Sequence, residues 1–442
     1  MKHYRKRIAD QILLGKLESK GAVLIEGSKW CGKTTTATQI AKSVLYMQDP
    51  VKKKQNLIMA ELDPALLLEG DTPRLIDEWQ LAPQLWDAVR FEVDKRDEFS
   101  QFVLTGSSVP ISDMTTSHSG TGRISRMVMR PMTLFESGDS DGSVSLGELF
   151  KDYGELVKSS VDLVRDGDLF KGQKEFAVKS RLDIRKIAFL ICRGGWPKAL
   201  GQSDKIALKQ AYDYYDAVVD SDISRSDGVI RNPQRVKLLM RSFSRFIASD
   251  GKISNIRKDM SYNDTDSLDE NTIYSYINAL KRIFVVEDLP AWSPNLRSKT
   301  AIRTSDTRHF VDPSIAVAAL GIGPSDLLDD LSTMGLFFES MCIRDLRVFA
   351  EALDGTVYHY RDKLGLECDA VVHLRNGSYA LIEVKLGGSE IDDAARNLLS
   401  LRSKIDTDRM KAPSFLMILT GTEFGYKRED GVYIVPIGCL KD

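Results

Sequence analysis

The sequence predicts an α/β chain that opens with a parallel sheet, and three stretches predict it. An apolar run, Ala22 to Glu26, leads straight into G-x-x-x-x-G-K-[ST] from Gly27 to Thr34. A second apolar piece, Arg74-Leu75-Ile76, ends in Asp77 and Glu78, and a third, Gln101 to Leu104, ends in Thr105-Gly106-Ser107-Ser108. Chemistry placed at the carboxyl ends of strands is what an open α/β sheet requires, because its ligand binds outside those ends.

The first stretch has the residues that a phosphate chain needs. Gly27 and Gly32 allow a tight turn, and the backbone of Ser28, Lys29, Trp30 and Cys31 can point its N–H groups at phosphate oxygens. Lys33 reaches the β- and γ-phosphates, and Thr34 offers a hydroxyl to Mg²⁺. Thr35 continues into a helix expected to run to Leu45, whose positive end faces the phosphates. The ligand expected is ATP with Mg²⁺. Asp77 is placed to hold Mg²⁺ through water, and Glu78 to orient or deprotonate an attacking water. Thr105 has two open readings, a hydroxyl that feels the γ-phosphate or the water, and an ordinary polar turn. Arg123 and Arg126 precede or lie in an alternating strand, Ile124 to Met129. Either one can stabilise transition-state charge, in cis or from a neighbouring subunit, or be solvated.

The length of 442 residues implies two to four domains. With 43% hydrophobic and 28% charged residues the chain reads as soluble and globular, and its net charge of −2 gives no global attraction for nucleic acid. Cys31, Cys192, Cys342, Cys368 and Cys439 are scattered and lack metal-ligand spacing, which fits a reducing, cytoplasmic setting. The basic start, MKHYRKRIADQILL, is too short and too broken by polar residues for a signal peptide, and reads as an amphipathic helix docked on the first domain. No run of about 18 apolar residues is long enough for a membrane span.

Along the chain, Lys52 to Lys54 reads as a solvated loop and residues 138–180 as a linker or insertion with short elements. Helical spacing at Ile184, Ile187, Leu190 and Ile191, and again at Leu208, Ala211, Tyr215 and Val218, predicts a helical subdomain interrupted by GGWP. There Gly194 and Gly195 stop a helix and Trp196 anchors packing. Residues 232–320 follow the order of a winged helix-turn-helix, with helices near Pro233–Ala248, Ile253–Met260 and Asn271–Arg282 and strands near Val285 and His309. The third helix carries Asn271, Tyr274, Tyr276, Asn278, Lys281 and Arg282, and a wing tip carries Arg297, Lys299 and Arg303. Such a module contacts duplex DNA or a protein partner.

The order GSKWCGKT, LIDEW, LTGSS and GRISRMVMRPMTLFES resembles the prokaryotic AAA-type ATPases that carry a C-terminal domain of unknown function. The resemblance continues through GGWP, DSDISR, HFVDPSIA and GLFFES. It implies an AAA-type P-loop NTPase sheet. That family often has Arg-Gln where this chain has Lys29-Trp30, a change that leaves the N–H donors, Lys33 and Thr34 in place.

The last part reads as helix, three strands, helix, strand. Glu339 lies in the helix, Asp369 opens the second strand, and Glu383 and Lys385 share one face of the third because side chains alternate along a strand. This set resembles the PD-(D/E)xK nuclease fold. The resemblance implies Mg²⁺ held by Asp369 and Glu383, with Glu339 as a further ligand and Lys385 positioning the attacking water. The expected domains are thus residues 1–137, the ATPase; 138–231, linker and helical subdomain; 232–320, winged helix; and 321–442, nuclease-like. The reading is an ATPase whose nucleotide state controls a DNA-directed C-terminal half, with duplex DNA and either a homo-oligomer or a protein partner as its expected partners. Its rival is a nucleotide-gated binding protein with a silent nuclease-like fold. A small-molecule kinase is disfavoured, because Asp77, Glu78 and Thr105 supply water-positioning groups and no acceptor site is evident.

Overall fold

A computed structural model describes residues 4–108, 121–151, 176–225, 228–261, 269–293, 305–363 and 365–442. It divides the chain into two compact units that interleave in sequence. One takes residues 1–131, 196–240 and 253–287, the other 132–195, 241–252 and 288–442. The four consecutive segments expected from the sequence differ from this division, because the chain leaves the first unit after Pro131 and returns at Trp196, a crossing that no shift in composition marks.

The first unit is built on five parallel strands: β1 (Ala22–Glu26), β2 (Ser43–Tyr46), β3 (Arg74–Asp77), β4 (Phe102–Gly106) and β5 (Ile124–Val128), in the order β2-β3-β4-β1-β5. Its helices include α1 (Ile8–Leu17), α2 (Lys33–Thr38), α3 (Lys53–Leu62) and α4 (Leu85–Arg96). Every residue of β1 is buried because helices cover both faces of the sheet. Val23 and Ile25 pack with Ala9, Leu13 and Leu17 of α1 and Ala37 of α2, while Ala22 and Leu24 pack with Ile76, Leu104, Trp86 and Val89 on the other face. The Ile8–Leu17 part of the N-terminal stretch therefore forms a docked helix, and the basic residues 5–7 precede it.

Two local expectations are corrected. Helix α2 stops at Thr38 rather than Leu45. Its run of β-branched threonines is a poor helix former, and Val44 and Leu45 are taken by the edge strand β2. Lys53 and Lys54 open α3 rather than lying in a loop, because Asn56 and Ala60 bury one face of it. The site depends on register. Glu26 pairs with Gly106 of β4 and Val128 of β5, and Asp77 pairs with Thr105, so the three chemical strand ends lie side by side.

The second unit carries short β6 (Val144–Ser145), then β7 (Ala177–Lys179), β8 (Gly355–Arg361), β9 (Glu367–Leu374), β10 (Tyr379–Lys385), β11 (Phe415–Thr420), β12 (Phe424–Lys427), β13 (Tyr433–Pro436) and β14 (Leu440–Lys441). Seven of these form a mixed sheet ordered β7-β12-β13-β11-β10-β9-β8, and β6 pairs with β14. β8, β9 and β10 run antiparallel in turn, whereas β10 and β11 are parallel and joined through the helix Ile391–Lys404. Leu398 and Leu401 of that helix pack with Leu381, Leu416 and Ile418. The order foreseen here, helix, three strands, helix, strand, is present, and it opens with the helix Leu331–Ala352. The sheet continues beyond β11 in strands the sequence did not suggest.

A buried ion cluster fixes the segments around that long helix. The Arg344 guanidinium donates to Asp312 and to Asp345, each at 2.8 Å. Those carboxylates also accept from the backbone N–H of Gly195 at 2.9 Å and of Leu134 at 2.8 Å. Burial pushes the Asp345 carboxyl up to about 6 against the pull of Arg344. Removing one member would leave an uncompensated buried charge. Within GGWP, Gly194 has φ +69° and ends its helix, while a Cβ on Gly195 would lie 2.1 Å from the Met132 carbonyl oxygen. Among the described residues no helix is long and apolar enough to cross a membrane.

Candidate active site

The loop after β1 turns where its residues permit. Gly27 has φ +144° and Gly32 φ +106°, and a Cβ on Gly27 would lie 2.1 Å from the Met129 carbonyl oxygen. Lys33 folds back over the loop, its Nζ donating to the carbonyls of Gly27 and Ser28 at 2.8 Å each. Cys31 is buried, and its carbonyl accepts from Arg7 at 2.8 Å, whose other nitrogen reaches the Arg130 carbonyl at 2.9 Å. Thr35 is exposed on α2.

The strand ends meet on Asp77. Its Oδ1 accepts from Thr34 Oγ1 and from Thr105 Oγ1, each at 2.6 Å, and the residue is nearly buried. Glu78 sits in a left-handed conformation, φ +58°. Its Oε2 accepts from Ser107 at 3.3 Å and from the Gln80 amide. A non-glycine residue held in that region is a strained position of the kind that clusters at functional sites. The residues fit a magnesium nucleotide on one further ground. Ser28 Oγ is buried at the loop and has no hydrogen-bond partner among the described residues, as a group awaiting a ligand would be.

The arginines stand elsewhere. Arg123 lies beside Ala22 at the amino end of β5, opposite the loop, and pairs with Asp94 at 2.7 Å. Arg126 pairs with Glu26 at 3.4 Å and lies over the Trp86 ring. Burial raises the Glu26 carboxyl against the pull of Arg126. The reading of Arg123 in cis is thereby corrected: the length of the strand separates it from the loop. Sequence reasoning missed Arg7, Gln80, and Asp222, which holds Lys29 at 2.5 Å. Gln80, two residues after Glu78 in LIDEWQ, was the one with a local signal.

In the second unit Lys385 joins the acids. Its Nζ lies 2.9 Å from Glu383 Oε2 and 3.4 Å from Asp369 Oδ2, which also accepts from the Val384 N–H at 2.8 Å. Burial, reinforced by the Asp369 charge, pushes Glu383 up to about 8. Burial opposes the Lys385 charge, yet Asp369 and Glu383 hold its pKa above the usual lysine range. Glu339 is raised by burial and by Asp369. Among the described residues, however, no three His, Cys, Asp or Glu side chains gather closely enough to hold a metal ion. Glu339 feels the charges of Asp369, Lys385 and Glu383 but does not join the two acids as a third ligand among the described residues. Asp369 and Glu383 fit a cation, since Glu383 Oε1 is buried without a hydrogen-bond partner among the described residues.

Helices Ile253–Ser261 and Glu270–Arg282 lie close to their expected places. In the latter Ile273, Ile277 and Leu280 are buried, Asn271, Tyr274 and Asn278 are exposed, Lys281 and Arg282 are half-buried, and Arg231 covers the Tyr276 ring. In the described part of the expected wing, Leu289 bridges Thr307 and Ala291 bridges His359 of β8. Arg297, Lys299 and Arg303 lie outside the described residues.

Residues 19–137 match the model of an AAA domain family. This segment is a P-loop ATPase domain of the AAA type, and the chain is an ATP hydrolase. The ATPase domain is followed by two matches to domains of unknown function, DUF8612 over residues 184–326 and DUF4143 over residues 334–440. No curated protein matches the chain. Among solved structures, a Walker-type ATPase of Pyrococcus abyssi is similar at 13% identity and TM-score 0.40, over 72% of this chain and 96% of that one. A RuvB mutant of Thermotoga maritima, at 13% identity and TM-score 0.26, covers 64% and 88%. Drosophila ORC bound to DNA, at 13% identity and TM-score 0.21, covers 64% and 87%.

Proposed function

We propose that the ATPase domain hydrolyses ATP with Mg²⁺ in the cytoplasm and that its nucleotide state controls a C-terminal half, winged helix and PD-(D/E)xK nuclease-like domain, that acts on duplex DNA. The observation that carries the ATPase chemistry is the convergence of Thr34 and Thr105 on Asp77 beside the loop. Lys33 exchanges its two loop carbonyls for β- and γ-phosphate oxygens, and the backbone N–H groups from Ser28 to Thr35 line the phosphates. Thr34 and Asp77 would hold Mg²⁺, which when bound neutralises charge on the phosphate oxygens. Thr105 fixes the Asp77 rotamer by its hydrogen bond. Glu78, itself aimed by Ser107 and Gln80, orients the attacking water and takes its proton. Arg123, remote in cis, acts on the site of a neighbouring subunit, which makes a homo-oligomer part of the proposal.

For the C-terminal half, support comes from the strand order β8-β9-β10-β11 and from Asp369, Glu383 and Lys385 meeting at the end of β10. Asp369 and Glu383 would hold the metal, which when bound activates water and neutralises the phosphodiester. Lys385 orients that water. The ion pairs of Lys385 with both acids suit a silent binding module as well. Supercoiled DNA incubated with the full chain, ATP, and Mg²⁺ or Mn²⁺ separates the readings. Cleavage that is lost in both Asp369→Ala and Lys385→Ala is the expected result, and intact DNA under every nucleotide condition establishes the binding module.

A further inference from the structure

The phosphate loop carries a second cation, Lys29, and it is already engaged. Its ammonium lies 2.5 Å from the Asp222 carboxylate, a partner 193 residues away in sequence. The Asp222 side chain is only 8% exposed, whereas that of Lys29 is 40% exposed. Asp222 closes a π-helical turn, Val218–Asp222, which continues the helix Asp204–Ala217. Such turns recur at functional sites. The next loop residue, Trp30, is held at φ +66° and sets its ring edge-on to Tyr214, with centroids 5.6 Å apart. Tyr214 in turn stacks on the buried Trp196 at 4.3 Å. Two consecutive loop residues are thus tied to one helical segment, one by charge and one by an aromatic contact.

We propose that this contact is a nucleotide-sensitive latch, in which Lys29 is a second phosphate-binding cation and Asp222 is the positioning residue that withholds it until ATP arrives. The inference rests on ATP binding at this loop. A carboxylate beside the loop opposes a polyanion, and while Lys29 is spent on Asp222 the loop meets the phosphates with Lys33 as its cation. ATP must therefore compete for Lys29, and its apparent affinity is lowered by the fraction of molecules that are latched. When Lys29 moves to phosphate, the helical segment through residues 204–222 loses its ionic tie to the loop. ATP binding at the loop is thereby reported to that segment.

The alternative, a prop that shapes the loop for ATP, differs in sign. The test is equilibrium titration of the full-length protein with ATP and Mg²⁺, comparing wild type with Asp222→Asn, Lys29→Ala and Lys33→Ala. A latch makes Asp222→Asn bind ATP about five-fold or more tighter, the lower end of ordinary coupling between sites. It makes Lys29→Ala, a change at a partly exposed position, bind more weakly. A merely structural Asp222 can only lose affinity when altered. Weaker or unchanged binding by Asp222→Asn overturns the latch, and so does wild-type affinity in Lys29→Ala. Wild type that binds no better than Lys33→Ala overturns the ATP site itself and the latch with it.

Discussion

Glu383 offers a test that needs neither nucleotide nor DNA. Its carboxyl, ordinarily near 4.5, is pushed to about 8 by burial and by Asp369. The folded protein therefore holds a proton there that the unfolded chain gives up. For a group raised in this way the stabilising contribution is complete below pH 4.5 and is lost as the pH climbs through 8. The limiting slope is about 1.4 kcal/mol per pH unit. The value of about 8 already includes the pull of the Lys385 ammonium, 2.9 Å away, so the loss between pH 5 and 8 is about 3–4 kcal/mol. In a unit of this size that is a fall of about 5–15 °C in Tm. The assay is thermal unfolding of the full chain across that range, wild type against Glu383→Gln, with the two Tm profiles subtracted. Asp345, also raised by burial, titrates in both proteins and cancels. The difference curve should fall toward high pH. Two parallel profiles would mean that Glu383 is ionised in the fold and that the reading of this cluster is wrong.

Two further outcomes are expected. If Arg123 serves a neighbouring subunit, Arg123→Ala should lower ATP turnover by about 10³-fold or more at protein concentrations where wild type assembles; turnover within a few-fold of wild type removes the role. If the helices Ile253–Ser261 and Glu270–Arg282 belong to a DNA-contacting module, binding of the full chain to duplex DNA should weaken steeply with salt through counterion release. An affinity indifferent to salt points to a protein partner.

What the sequence disclosed follows from how local each feature is. The phosphate loop was legible because a glycine-bounded turn and its lysine are contiguous, and because β1 must be apolar when both sheet faces are covered. The acids at 77 and 78 and the hydroxyls at 105 and 107 were legible as strand ends, since register alone brings them together. The C-terminal elements were legible because Glu383 and Lys385 alternate on one strand. The pairing of Lys29 with Asp222, across 193 residues, left no local trace, and neither did the Arg7 contacts to loop carbonyls. The interleaving of the two units was hidden for the same reason. Gly195 looked like a helix stop, but its lack of a side chain is demanded by the approach of the Met132 carbonyl. Helix α2 was overdrawn because its threonines match a helical pattern they only briefly sustain.

The central claim is that Lys33 and Glu78 do different work on one ATP molecule. It is tested most directly by measuring ATP binding and phosphate release in parallel for wild type, Lys33→Ala and Glu78→Gln with Mg²⁺ and no other acceptor. Wild type should bind and turn over, and Lys33→Ala should do neither. Glu78→Gln should bind like wild type and release phosphate at least about 10²-fold more slowly, as loss of a general base requires. Phosphate release at the wild-type rate by Glu78→Gln, or binding undiminished in Lys33→Ala, would contradict the account.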